Sequence, residues 1–332
     1  MFYLFLFLSI FFLSGCNIIG RNPSVPLNVI KDPSDLTSKL AHIQVTFSKV
    51  LNNQTIGHIT TLNRVNQIDF ALKNKGRDLK VSLDKTKVVY SFTDTIADEY
   101  RSSLWVLELD SGEERQVILW GDKLTESSLT NPSFFPDGVR LVFSVTWFDA
   151  DTTGIGTIDL DGNNLEIIDT PTRTFSQGPK LSPDGEKILV LCEGIDKDSG
   201  KPGFMLCIMD QDGSHRRRLM EAGSYHGTYL FTPDSQAIIY SEAEWGGLFG
   251  LINKPRYQIN SIDIKGKNQV TILNWHRAIN VLALNEDGRE IIFMDRPESG
   301  KKTKIYIINL DGTNLRHLAY FDDFLADWYP KE

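Results

Sequence analysis

Ser182-Pro183-Asp184-Gly185-Glu186-Lys187-Ile188-Leu189-Val190-Leu191 sets the pattern from which the fold of this chain follows: a small polar residue, Pro-Asp-Gly, then a run of β-formers. The pattern returns as Phe135-Pro136-Asp137-Gly138 before Leu141-Val142-Phe143-Ser144. Degraded copies are Thr232-Pro233-Asp234-Ser235 before Ile238-Ile239-Tyr240-Ser241, and Asn285-Glu286-Asp287-Gly288 before Ile291-Ile292-Phe293. Ser82-Leu83-Asp84-Lys85 before Val88-Val89-Tyr90-Ser91 is the weakest. The aspartates at 84, 137, 184, 234 and 287 lie 53, 47, 50 and 53 residues apart. A second series falls about halfway between them: Leu109-Asp110-Ser111-Gly112, Leu160-Asp161-Gly162, Asp210-Gln211-Asp212-Gly213, Ile264-Lys265-Gly266 and Leu310-Asp311-Gly312.

Asp-Gly is a two-residue hairpin signal, because glycine accepts positive φ and aspartate hydrogen-bonds its own turn. Two interleaved turn series therefore predict four short strands in each repeat. No long stretch keeps a 3.6-residue apolar period, so helix is a minor element. Repeats of this size, each covering the apolar face of the next, predict an all-β chain folded as a β-propeller with four-stranded antiparallel blades.

This alternation of Pro-Asp-Gly and Leu-Asp-Gly resembles the repeat of TolB-like, WD-repeat-like propellers of bacterial envelopes, over roughly residues 40–332. In that family a blade begins with an inner strand ending near Trp-Ser-Pro-Asp-Gly, and Asp327-Trp328-Tyr329-Pro330 resembles the start of a sixth copy. Strands for the rest of that blade are found at the other end, at 43–47, 57–62 and 67–70. The resemblance thus implies six blades, closed by the C-terminal strand joining the N-terminal blade. It also implies an envelope protein or peptide as partner, in a binding or scaffolding role.

Phe2 to Leu13 is an almost unbroken apolar run followed by Leu13-Ser14-Gly15-Cys16. That run is too short for an ordinary membrane span and suits the core of a signal peptide. Its end resembles a bacterial lipobox, which makes Cys16 the expected lipidation site, although no Lys or Arg precedes the run. The expected organisation is a signal peptide over 1–15, a tether over 16–39 carrying Pro23, Pro26 and Pro33, and a propeller over 40–332. The expected location is the cell envelope, with the membrane touched through the lipid anchor only.

The 332 residues carry a net charge of −8, with 35 Lys+Arg against 43 Asp+Glu. That balance argues against nucleic-acid binding, which needs a basic footprint. The six histidines show no metalloprotease spacing, there is no Gly-x-Ser-x-Gly elbow, and nothing in the pattern calls for a cofactor or metal. Antiparallel connection puts every Asp-Gly turn on one face of the ring and the longer loops on the other. The loop face collects Trp147, Asp149, Asp151, Arg173, His226, Trp245, Trp275, His276 and Arg277, rings beside charges that suit a peptide or a polar small ligand. A propeller enzyme, a lyase or glycan-acting protein using Arg173, His226, His276 and Arg277, is the alternative. Cys192 and Cys207 fall on neighbouring strands of one repeat, where they are either two buried thiols or a cross-strand disulfide.

Overall fold

The computed structural model describes residues 28–29, 44–51, 54–61, 68–96, 99–118, 124, 127–148, 152–169, 176–195, 202–220, 225–244, 256–285, 287–295 and 303–320. After a two-residue strand β1 (Asn28–Val29), the strands group in chain order into six sheets. The first contains β2 (Gln44–Leu51), β3 (Gln54–Thr61) and β4 (Ile68–Leu72). The second runs β5 (Arg77–Val81), β6 (Lys87–Ile96), β7 (Glu99–Glu108) and β8 (Glu114–Ile118). The third runs β9 (Ser127–Phe134), β10 (Arg140–Trp147), β11 (Thr152–Asp159) and β12 (Glu166–Asp169). The fourth runs β13 (Ser176–Leu181), β14 (Lys187–Ile195), β15 (Pro202–Asp210) and β16 (Arg217–Arg218). The fifth runs β17 (Tyr225–Phe231), β18 (Ala237–Glu244), β19 (Arg256–Asp263) and β20 (Val270–Trp275). The sixth runs β21 (Ile279–Leu284), β22 (Glu290–Asp295), β23 (Lys304–Asn309) and β24 (Arg316–Tyr320).

Five sheets thus carry four antiparallel strands in sequence order, and no helix occurs among the described residues. The first sheet has three; the expected closing strand at 327–330 lies outside the described residues. β1 lies within the expected tether and pairs in parallel with the outer strand β24, Asn28 opposite Arg316 and Val29 opposite His317. Prolines on either side did not prevent this short outer-edge pairing, where only one side of a strand needs a partner.

Each sheet buries its faces against its neighbours. Val89, Leu104 and Val106 of the second sheet pack on Leu129, Leu141 and Phe143 of the third. Val142 and Ile155 of the third meet Ile188, Val190 and Met205 of the fourth. Leu189, Leu206 and Ile208 then meet Tyr229, Ile238 and Tyr240 of the fifth, and Ile239 and Ile259 meet Ile291, Phe293 and Ile308 of the sixth. The first strands of successive sheets, β5, β9, β13, β17 and β21, lie side by side around a common axis. In a propeller such first strands lie nearest the central axis.

The turns differ from the two-residue hairpin that Asp-Gly predicts. In the Pro-Asp-Gly series only the fourth loop residue has positive φ, Gly185 at 77° and Lys85 at 62°, after a tight turn closed by Gly185 N–H donating to Ser182 O at 2.8 Å. Ser182 Oγ donates to Asp184 at 2.5 Å and accepts from Lys187 N at 2.9 Å, while Asp184 accepts from Glu186 N at 3.1 Å. Ser82 with Asp84 and Thr232 with Asp234 repeat this network. Where Phe135 replaces the hydroxyl, Asp137 alone accepts from both Val139 N and Arg140 N. These bonds favour the carboxylate form: Asp84 is held down at about 2, chiefly by the Ser82 hydroxyl and then by the Thr86 N–H. Because the folded-state pKa is depressed, its stabilisation is complete above the unfolded value of 3.8 and is lost as pH falls through about 2.

The second turn series fits each sheet to the one before. A Cβ at Gly213 would lie 2.0 Å from Ile168 O of the preceding sheet, and one at Gly266 would lie 2.8 Å from Leu219 O. Both turn series also meet on one face: Leu160 N donates to Val139 O, and Gln211 N to Glu186 O. Arg216 Nε reaches Asp169 of the preceding sheet at 3.1 Å, although Arg216-Arg217-Arg218 reads in sequence as a solvated run.

Ser182→Ala removes the acceptor of the Lys187 N–H and the donor to Asp184. It should lower unfolding free energy by about 1–2 kcal/mol in urea melts. Pro183→Ala, which touches none of these bonds, should change it by less than about 0.5 kcal/mol.

Candidate functional site

Cys16, Asp149, Asp151, Arg173 and Trp245 lie outside the described residues, as does the His226 side chain. The remaining loop-face candidates separate into two groups. Trp147, at the end of β10, is half-buried against the core between the second and third sheets. Its ring lies on Gly154 of β11, where a Cβ would come within 2.9 Å of it.

Trp275, His276 and Arg277 are brought together after β20. The Trp275 ring sits edge-on to Phe293 at 5.9 Å and to Tyr306 at 5.2 Å, so its main surface is spent on the core. Arg277 Nη1 pairs at 3.1 Å with Asp295, which has no solvent exposure. Asp295 also accepts from Lys304 N at 3.0 Å. This one carboxylate therefore joins the segment after β20 to the end of β22 and the start of β23. His276 remains exposed beside them, its ring 5.0 Å from that of Trp275. Partial burial and then the Arg277 charge hold its imidazole below the ordinary value, against the opposing pull of Asp295. The shift favours the neutral imidazole.

Cys192 and Cys207 form a disulfide, and both are buried on the face packed against the third sheet. Cys192 stands opposite Met205 and Cys207 opposite Val190, so the bond runs diagonally across the β14–β15 pair at a Cα separation of 5.9 Å.

Two lysines stand on the inner strands β5 and β13. Lys80 pairs with Val89, Ser133 with Val142 and Lys180 with Leu189, so these three occupy one register position on the adjacent inner strands β5, β9 and β13. The same position holds Leu230 in β17 and Ala283 in β21. Among the described residues neither lysine has a hydrogen-bond or ion-pair partner. Lys80 is open to water and Lys180 partly so, yet desolvation is the main cause lowering both amines. Lys180 is pushed down to about 8, with repulsion from Lys80 the second cause and attraction to Asp78 opposing.

Asp78 has a positive φ of 53° at a bulge in β5, and its Oδ2 accepts from Ser91 Oγ at 3.1 Å and Asn131 N at 3.2 Å. Sequence reading passed over Lys80, Ser133 and Lys180. Their signal lay in aligning the repeats as columns, two residues before each turn, rather than in any local motif.

No protein-family model and no curated protein sequence matches this chain. Solved structures do match it. TolB from Acinetobacter baumannii superposes with a TM-score of 0.56 at 14% identity, over 83% of this chain and 66% of its own. An oligogalacturonate lyase in complex with manganese gives 0.63 at 16%, over 84% and 74%. The β-propeller domain of the Trilobed protease from Pyrococcus furiosus, with its open velcro topology, gives 0.55 at 14%, over 82% and 80%. The fold is a TolB-like β-propeller.

Two predictions follow from these side chains. Asp295→Ala leaves Arg277 unpaired and the Lys304 N–H without its acceptor, and should cost about 3–5 kcal/mol by denaturant titration. Lys180→Met removes an uncompensated cation and should raise the melting temperature at pH 7. Because the folded-state pKa is lowered, wild-type stability rises with pH between about 8 and 10.5, and the gap between the two proteins should close over that interval.

Proposed function

We propose that this chain is a lipid-anchored propeller of the bacterial cell envelope that binds a protein or peptide partner as a non-catalytic module. The observation that carries the binding reading is the fate of the loop-face side chains. Arg277 is held by buried Asp295, and Trp275 is spent on Phe293 and Tyr306. Phe148, after β10, and His276, after β20, remain exposed, which suits docking better than turnover. The Leu13-Ser14-Gly15-Cys16 sequence supports the anchor, with residues 16–39 as its tether and Cys16 as the acylated residue. A buried disulfide suits an oxidising compartment outside the cytoplasm. On this reading Trp147, Asp149, Asp151, Arg173, His226, Trp245 and His276 surround the docking surface.

A propeller enzyme is the second reading, and neutral His276 beside the Arg277 guanidinium is the feature that favours it.

The test combines location and contact. Cys16→Ala should abolish palmitate labelling and release the protein from the membrane fraction. A photo-crosslinking residue placed at exposed Phe148 should capture an envelope protein in living cells, whereas one at exposed Val139 on the turn face should not. Capture only from position 139, or unchanged palmitate labelling, would overturn the corresponding half of the reading.

A further inference from the structure

We propose that the pairing of β1 with β24 is a clasp that orients the ring on the membrane, with the turn face towards the lipid and the loop face away from it. This orientation rests on the lipid anchor proposed above and adds the side from which that anchor approaches.

Strand direction decides the side. β24 follows the turn at Asp311-Gly312 and therefore runs from the turn face towards the loop face. β1 lies beside it in parallel, Asn28 opposite Arg316 and Val29 opposite His317. The chain before Asn28, which leads back to Cys16, thus meets the sheet at its turn end. The chain after Val29 leaves towards the loop end. An antiparallel pairing would reverse this assignment.

The edge that receives β1 is held from behind. Arg316 is buried and ion-paired with Glu290, and the His317 ring stands edge-on to Tyr306 at 5.5 Å. Among the described residues no other outer strand has a neighbour on its free side. A strand edge with open N–H and C=O groups is a standing template for another strand, and at Arg316 and His317 the chain's own tether takes it up.

Tether length makes the clasp matter. From Cys16 to residue 40, where the expected propeller begins, the chain can span about 80 Å, enough to bring either face to a bilayer. From Cys16 to Asn28 it spans at most about 40 Å. Pro23 and Pro26 fall in that interval, and each favours extended backbone at the residue before it, which works against a reversal. An anchor on the loop side would need such a reversal and then a run back along β24, itself about 17 Å long.

The test uses the acylated full chain in vesicles of phosphatidylethanolamine and phosphatidylglycerol, with an energy-transfer acceptor on the lipid. A donor dye is attached through Lys267→Cys on the turn face or His276→Cys on the loop face. Both positions are exposed, and β20, about 20 Å long, separates them. Transfer from position 267 should exceed that from 276 several-fold. Asn28→Pro with Val29→Pro, which removes both N–H donors of β1, should cut the difference by more than half while the melt stays cooperative. Equal transfer, greater transfer from 276, or a difference untouched by the prolines would overturn the proposal.

The clasp is also read without lipid. In a Cys16→Ala chain, a short bismaleimide should join Asn28→Cys to Leu318→Cys, which lies two residues beyond its register partner. Acylation without this cross-link would overturn the clasp and leave the anchor standing. A cross-link in a chain whose Cys16 is never acylated would overturn the anchor and, with it, the orientation.

Discussion

An antiparallel sheet with two apolar faces is stable only between two others, and every other feature of this molecule serves that stacking. Val89, Val142, Leu189, Ile239 and Ile292 occupy one position on the second strand of successive sheets and are completely buried. Spacing between sheets is then set at the rim, where the turn glycines meet the carbonyls of the preceding sheet. A side chain at Gly213 would push against Ile168 O, backbone against backbone, with no flexible group able to yield. The serine–aspartate networks keep the neighbouring turns in the shape that this approach requires.

The sequence disclosed the parts that are local. Asp and Gly at fixed offsets encode turns whatever surrounds them, so the repeat, the strand count per sheet and the fold class could be read directly. The finer form of those turns could not, because it depends on Ser182 or Thr232 accepting a backbone N–H five residues on. Features that depend on lateral neighbours were hidden altogether. Arg216 looked like one of three solvated cations until the preceding sheet brought Asp169 beside it. Arg277 looked available until buried Asp295 met it. The cysteines stayed ambiguous because the choice between thiols and a bond depends on register: the sulfurs meet across a diagonal, not across a directly opposed pair.

Charge is distributed unevenly between rim and axis. On the rim, carboxylates satisfy N–H groups and are stabilised in their ionised form, as Asp84 and Asp184 are. On the inner strands, Lys80 and Lys180 stand where Leu230 and Ala283 are found in other sheets. A ring built from near-identical units can vary such a column without disturbing its neighbours. The inner strand is thus the place where chemical individuality is cheapest to install.

The disulfide has a topological consequence. Cys192 and Cys207 enclose the whole connection between β14 and β15, with a sequence separation of 15. A protease cutting anywhere inside that interval would leave two polypeptides still joined covalently and still paired along the ladder from Lys187 opposite Asp210 to Cys192 opposite Met205. The nicked molecule would migrate as one species until reduced. The ring would survive a broken chain.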